Sequence, residues 1–180
     1  MALAVPLLIR SWNLFHGNAS PPRRRSFLEE MVGLASADGP DVLLLQEVPA
    51  WALERLGTWS AMTAIADLAQ SPRLGPVPIN AELGRALTSL NPAVLRSAFS
   101  GQGNAILVAQ ALRPAAHAVL ALNPADFRRA QGRQLRLDLV ARLAWAKERR
   151  ICQVVRLDRG LVVANLHASS SPGDARIPEA

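Results

Sequence analysis

Apolar residues fall into short blocks separated by polar and glycine/proline punctuation, and the blocks predict strands and helices in alternation. Leu7-Leu8-Ile9-Arg10-Ser11-Trp12-Asn13-Leu14 has the composition of a strand, and Phe15-His16-Gly17-Asn18 turns the chain away. Ser26-Phe27-Leu28-Glu29 matches a capping box, in which a serine and a glutamate satisfy each other's helix-end amides. Phe27, Leu28, Met31, Val32 and Ala35 then follow at helical spacing until Asp38-Gly39-Pro40 stops the helix. Asp41-Val42-Leu43-Leu44-Leu45-Gln46-Glu47-Val48, closed by Pro49, is too short and too uniformly apolar for a surface helix and reads as a buried central strand. Strand, helix and strand in this order form a crossover unit with parallel strands, which puts Asn13 and Glu47 at one edge of a sheet.

Further along, Trp51–Leu56 predicts a short helix closed by Gly57, and Ala61–Ala69 predicts another. Ser71–Asn80, with three prolines and a glycine, reads as a loop before a helix over Glu82–Leu90. Gly101-Gln102-Gly103 is a turn feeding a strand over Asn104–Ala109, and Ala116–Leu122 predicts one more. Phe127–Trp145 fits both periods, with helix preferred. Arg149–Leu157 and Leu161–Leu166 flank Asp158-Arg159-Gly160 as a hairpin, which delivers His167 to a strand end. A polar loop, Ser169–Asp174, follows.

Composition changes this picture little. The 180 residues, half of them apolar, suffice for a single domain over residues 1–180. Twenty basic and 14 acidic residues give a formal charge of +6, carried by arginine except for Lys147, which suits phosphate-rich partners such as nucleic acid. The lone Cys152 cannot form an internal disulfide. Met1–Ile9 lacks a basic flank, is interrupted by Pro6 and meets Arg10 after nine residues, so neither signal peptide nor membrane span is expected and a cytoplasmic location is.

Three strand ends therefore present Asn13, Glu47 and His167. An amide and a carboxylate are hard oxygen donors suited to Mg²⁺ or Mn²⁺, and an imidazole nearby can hydrogen-bond or protonate a phosphate oxygen. The competing reading is three unrelated polar residues that leave the sheet separately.

Four stretches carry a resemblance: Ser11-Trp12-Asn13-Leu14-Phe15-His16-Gly17, Asp41 to Val48 with its Gln46-Glu47 pair, Gly103-Asn104-Ala105-Ile106-Leu107-Val108, and Asn165-Leu166-His167-Ala168. In order and character they resemble the N-terminal motifs of the endonuclease/exonuclease/phosphatase superfamily, the DNase I-like fold. The resemblance implies an α/β protein, a four-layer α/β sandwich present here as an incomplete N-terminal part, and metal-dependent hydrolysis of phosphodiester or phosphomonoester bonds. It implies Asn13 and Glu47 as metal residues for Mg²⁺ or Mn²⁺, and His167 as the catalytic histidine at the scissile phosphate. Asn104 has two readings, support of the phosphate in substrate binding or service to strand register. His16 and His117 receive no role, the first being read as a turn residue and the second as a surface or strand residue.

The superfamily's later G-D-x-N and S-D-H segments, which supply further metal contacts and the general base, do not occur in the sequence. The expectation is a chain truncated in the loop after His167 and nearly inactive by itself. Assayed alone with Mg²⁺ on DNA and generic phosphodiesters, it should turn over far below a full-length relative, and a comparable rate would overturn this expectation. A phosphodiesterase with a preference for nucleic acid leads the functional readings. Phospholipid or inositol-phosphate hydrolysis, a non-catalytic phosphate-binding module, and an α/β domain without phosphate chemistry are the alternatives.

Overall fold

The computed structural model describes residues 6–18, 25–90, 99–134, 139, 149–158 and 160–168. Two sheets lie face to face. The first has the order β1-β2-β6-β3, built from β1 (Ile9–Asn13), β2 (Val42–Val48), β6 (Gln102–Val108) and β3 (Thr63–Gln70). The second has the order β7-β8-β9, from β7 (Pro114–Ala121), β8 (Ile151–Leu157) and β9 (Val162–Leu166). A small ribbon of β4 (Arg73–Leu74) and β5 (Val77–Pro78) stands apart. The helices are α1 (Leu28–Ser36), α2 (Leu56–Ser60), α3 (Ala81–Leu90) and α4 (Ala125–Gln134).

The expected crossover is present: β1 and β2 are parallel, Asn13 lies opposite Gln46, and α1 connects the two strands. Period-two alternation sorts the first sheet's side chains between two cores. Leu43 and Leu45 of β2, with Ala105 and Leu107 of β6, pack against Leu28, Val32 and Ala35 of α1 and Leu56 of α2. Val42, Ile106 and Val108 face the opposite way, against Val155, Leu157 and Val163 of the second sheet. Helices, first sheet and second sheet are thus three successive layers of the four-layer α/β sandwich that the motifs implied.

A polar seam runs through the second of these cores. Gln46 Nε2 donates to Asn165 Oδ1 at 2.7 Å, and Gln153 Nε2 donates to Asp67 Oδ2 at 2.6 Å. His117 Nε2 meets the same Asp67 Oδ2 at 2.6 Å, so His117 ties the β7 edge to β3. Buried polar groups are tolerated when each finds a partner, and such pairings fix the register of one sheet on the other.

Several expectations are corrected. Ala61–Ala69 does not form a helix: Thr63–Gln70 is β3, antiparallel to β6. Its alanines favour helix intrinsically, but pairing with a buried strand overrides that preference, placing Ala64 and Ala66 on the helix-facing core and Ile65 on the inter-sheet core. The segment after β2 is a 3₁₀ helix over Ala50–Arg55 that runs straight into α2, so Gly57 lies inside a helix and left-handed Ala61 (φ 56°) ends it. The Ser26–Glu29 capping box does not form, because α1 begins at Leu28 with Phe27 before it. Ser26 Oγ accepts instead from the Leu28 amide at 3.4 Å. Most of the segment beyond 134 in the expected helix and the loop at 169–174 lie outside the described residues. Among the described residues no helix is long and apolar enough to cross a membrane.

Arg10 of β1 donates to both carboxylate oxygens of Asp38, at 2.8 Å from Nη1 and 2.6 Å from Nη2, pinning the edge strand to the end of α1. Hydrogen bonding from Arg10 holds the Asp38 carboxyl below the ordinary carboxylate range. A depressed folded-state value stabilises the fold above the unfolded-state pKa, and that contribution disappears as pH falls through the folded-state value. The urea midpoint difference between parent and Asp38→Asn should accordingly be constant above about pH 5 and shrink below about pH 4. A difference independent of pH would remove the ion pair from the acid response.

Candidate active site

The carboxyl end of β2 does not simply run out into water. The β2–β6 register pairs Leu45 with Ala105 and Val48 with Gly103, leaving Gln46 and Glu47 opposite the single residue Asn104. This is a β-bulge, a device that bends a strand and re-aims one side chain. Glu47 takes up the bend with a left-handed backbone, φ 53°. That conformation costs a non-glycine residue on the order of 1–3 kcal/mol and persists only where the surroundings enforce it. Strict alternation would turn Glu47 toward the helices with Leu43 and Leu45; the bulge turns it instead to the rim where β1 and β9 end.

Three side chains meet the carboxylate there. Asn13 Nδ2 donates to Glu47 Oε1 at 3.1 Å, and His167 Nε2 lies 3.5 Å from the same oxygen. His16 Nε2 lies 3.8 Å from Oε2 on the other side. The Glu47, His16 and His167 side chains are 16%, 6% and 15% exposed, so the cluster is largely shielded from water. The structure therefore brings Asn13, Glu47 and His167 to one place, from three strands.

His16, read from the sequence as a turn residue, does lie in the turn after β1, and its ring also reaches the carboxylate. Asn13 Oδ1 accepts from the Phe15 amide at 2.9 Å, and this local bond starts a tight left-handed turn through Phe15 (φ 47°), His16 (φ 55°) and Gly17 (φ 72°). The turn folds His16 back beneath the strand end, with Nδ1 3.5 Å from Ser100 Oγ. Gly17 is obligatory twice over: its φ suits glycine, and a Cβ there would lie 2.4 Å from Leu28 Cγ. An asparagine three residues ahead of His-Gly was the available signal in the sequence.

Asn104 is nearly fully buried, and its Nδ2 donates across the sheets to the Ile151 carbonyl at 3.2 Å. That bond serves the seating of one sheet on the other; among the described residues no hydrogen bond takes the Asn104 side chain to the Glu47 cluster.

The donors fit a divalent cation in part. Glu47 offers a half-shielded carboxylate, a suitable oxygen ligand for Mg²⁺ or Mn²⁺. Asn13 Oδ1 accepts from the Phe15 N–H, which fixes the amide orientation and leaves the oxygen a second lone pair, and Nδ2 donates to Glu47. Asn13 thereby orients the carboxylate. Among the described residues there is no group of three or more His, Cys, Asp and Glu side chains that could hold a metal by themselves. A cavity of about 580 Å³ opens beside His16, with Ser26, Trp51, Arg55, Arg85 and Ser100 in its wall.

Comparison with solved structures fixes the fold. The crystal structure of an endonuclease/exonuclease/phosphatase from Beutenbergia cavernae DSM 12333 matches with a TM-score of 0.59 at 18% identity, over 93% of this chain and 39% of its own. TDP2 from Caenorhabditis elegans matches with a TM-score of 0.50 at 16% identity, over 92% of this chain and 36% of its own. An endonuclease/exonuclease/phosphatase family protein from Bacteroides thetaiotaomicron gives 0.50 at 15% identity, over 91% and 50%. No family model matches the sequence, and no curated protein matches it. The chain thus has the DNase I-like fold of the endonuclease/exonuclease/phosphatase structures and spans between 36% and 50% of the length of these three.

Proposed function

We propose that the chain carries part of the active site of a metal-dependent phosphoesterase acting on phosphodiester bonds, with nucleic acid as the favoured substrate class. The observation that carries this reading is the bulged, left-handed Glu47 set between Asn13, His16 and His167. A strained carboxylate held between two imidazoles is costly to maintain for structure alone, and strain of this kind collects at functional sites. The DNase I-like fold and the arginine-borne charge of +6 support the same reading.

In this reading Glu47 holds Mg²⁺ or Mn²⁺, with water and substrate oxygens as the other ligands. A bound cation stabilises negative charge developing on the phosphoryl oxygens. Asn13 keeps the Glu47 carboxylate turned toward that position. His167, whose Nε2 lies 3.5 Å from Glu47 Oε1, would hydrogen-bond a phosphoryl oxygen and hand it a proton.

The test is hydrolysis of bis(p-nitrophenyl) phosphate and of plasmid DNA with Mg²⁺ or Mn²⁺, reversed by EDTA. Slow, metal-requiring product release is expected, and His167→Ala should lower it by about 100-fold or more. Release unaffected by EDTA, or by His167→Ala, would refute the proposal.

A further inference from the structure

The site residues stand on a second polar layer, in which Gln46 and Asn165 are buried and Ser11 lies at the exposed edge. Ser11, Gln46 and Asn165 lie two, one and two positions ahead of Asn13, Glu47 and His167 on β1, β2 and β9. Gln46 Nε2 donates to Ser11 Oγ at 3.1 Å and to Asn165 Oδ1 at 2.7 Å, so one amide group joins the three strands that carry the site. Asn165, 1% exposed, does more. Its Nδ2 donates to the carbonyls of Leu45 at 3.0 Å and Ala105 at 2.9 Å, the last matched pair of β2 and β6 before the bulge. It also faces Gln153 Oε1 at 3.4 Å. Both the nitrogen and the oxygen of this amide are therefore engaged, and all of its partners are in the protein interior.

We propose that Asn165 is the positioning residue of the site: it clamps the β2 bulge to β9 and so sets the separation between the Glu47 carboxylate and the His167 imidazole. This rests on the phosphoesterase reading for its catalytic consequence, but not for its geometry. Two sheets packed through aliphatic side chains alone can slide by fractions of an ångström, because dispersion contacts are non-directional. A buried amide with directional bonds to both strands removes that freedom. Contacts at a strand end then inherit their spacing from the layer below, and misplacement of reacting groups by about 1 Å costs on the order of 100-fold in rate.

The experiment compares Asn165→Leu with the double variant Gln46→Leu/Asn165→Leu. Removing one partner leaves the other buried and unsatisfied, whereas replacing both with apolar groups restores much of the stability. The Leu45 and Ala105 carbonyls still lose their Asn165 donor, so the double variant should recover the unfolding midpoint only in part. A purely structural Asn165 would predict that activity and the imidazole response recover in step with the midpoint, whereas the positioning role predicts that neither does. At constant pH the His167 imidazole ¹⁵N shifts of the parent should move when Glu47→Gln is introduced, and this response should be lost in both variants. kcat for bis(p-nitrophenyl) phosphate with Mn²⁺ should fall at least tenfold in both, with KM within twofold of the parent. Gln46→Met, which breaks the same Gln46–Asn165 bond while leaving Asn165 on the Leu45 and Ala105 carbonyls, serves if neither leucine variant folds. It should weaken the imidazole response at least twofold. Retention of the full imidazole response in any folded variant overturns the proposal. If the parent shows no turnover, the phosphoesterase reading fails while the imidazole shifts still decide the role of Asn165.

Discussion

Glu47→Gln is expected to weaken Mn²⁺ binding by at least about 100-fold while changing stability by no more than about 0.5 kcal/mol. The bound on affinity follows from the 10–100-fold losses seen when groups that only orient a metal ligand are removed, since Glu47 is the ligand itself. The bound on stability follows because glutamine has the same shape and can still accept from Asn13 Nδ2 through Oε1. The same substitution separates catalysis from simple phosphate capture. A carboxylate repels a phosphoryl group unless a cation lies between them. With Mn²⁺ present, Glu47→Gln should therefore weaken phosphate binding, whereas in a metal-free phosphate-binding module it would strengthen it. Isothermal titration with Mn²⁺, then with inorganic phosphate in the presence and absence of Mn²⁺, reads both. Stronger phosphate binding by the variant under both conditions would favour the non-catalytic module.

Leu45→Ala should cost about 3 kcal/mol, within the usual range of 2–5 for a fully buried leucine, and lower the melting temperature by about 6–12 °C. Leu45 is completely buried on the central strand, facing Leu14, Val32 and Leu56, and it directly precedes the bulge. A cavity there is walled by two strands and two helices, which leaves little room for collapse. Leu68→Ala, on the outer strand β3 and 42% exposed, is the matched control and should stay within about 0.5 kcal/mol of the parent. Thermal unfolding followed by circular dichroism compares them directly. A loss below about 1 kcal/mol for Leu45→Ala would mean that β2 is not the centre of the core.

What could be read from the sequence, and what could not, follows the range of the interactions involved. The β1–α1–β2 unit was legible because its signals are local: an apolar run, helical spacing from Phe27 to Ala35, and a Gly39-Pro40 stop. A parallel crossover then forces Asn13 and Glu47 to the same sheet edge, so two of the site residues came with the topology. His167 came with the β8–β9 hairpin. β3 was misread because Ala64, Ile65, Ala66, Asp67 and Leu68 have no strong strand composition, and only pairing with β6, about forty residues away, makes them extended. His16 was missed because the chain reverses through three consecutive left-handed residues, which an amphipathic pattern cannot reveal. Gln46 was visible as half of a Gln-Glu pair, but its partner Asn165 is 119 residues distant and belongs to the other sheet. Long-range polar pairing of this kind leaves no periodic trace along the chain.

Paramagnetic broadening by Mn²⁺ is the most direct test of the central claim, that side chains from β1, β2 and β9 surround one cation position. The account predicts that substoichiometric Mn²⁺ broadens the Asn13 side-chain amide and the His16 and His167 imidazole resonances together, leaves the His117 imidazole sharp, and does neither in Glu47→Gln. Broadening of His117 instead, or of His16 and His167 at clearly different Mn²⁺ concentrations, would contradict it.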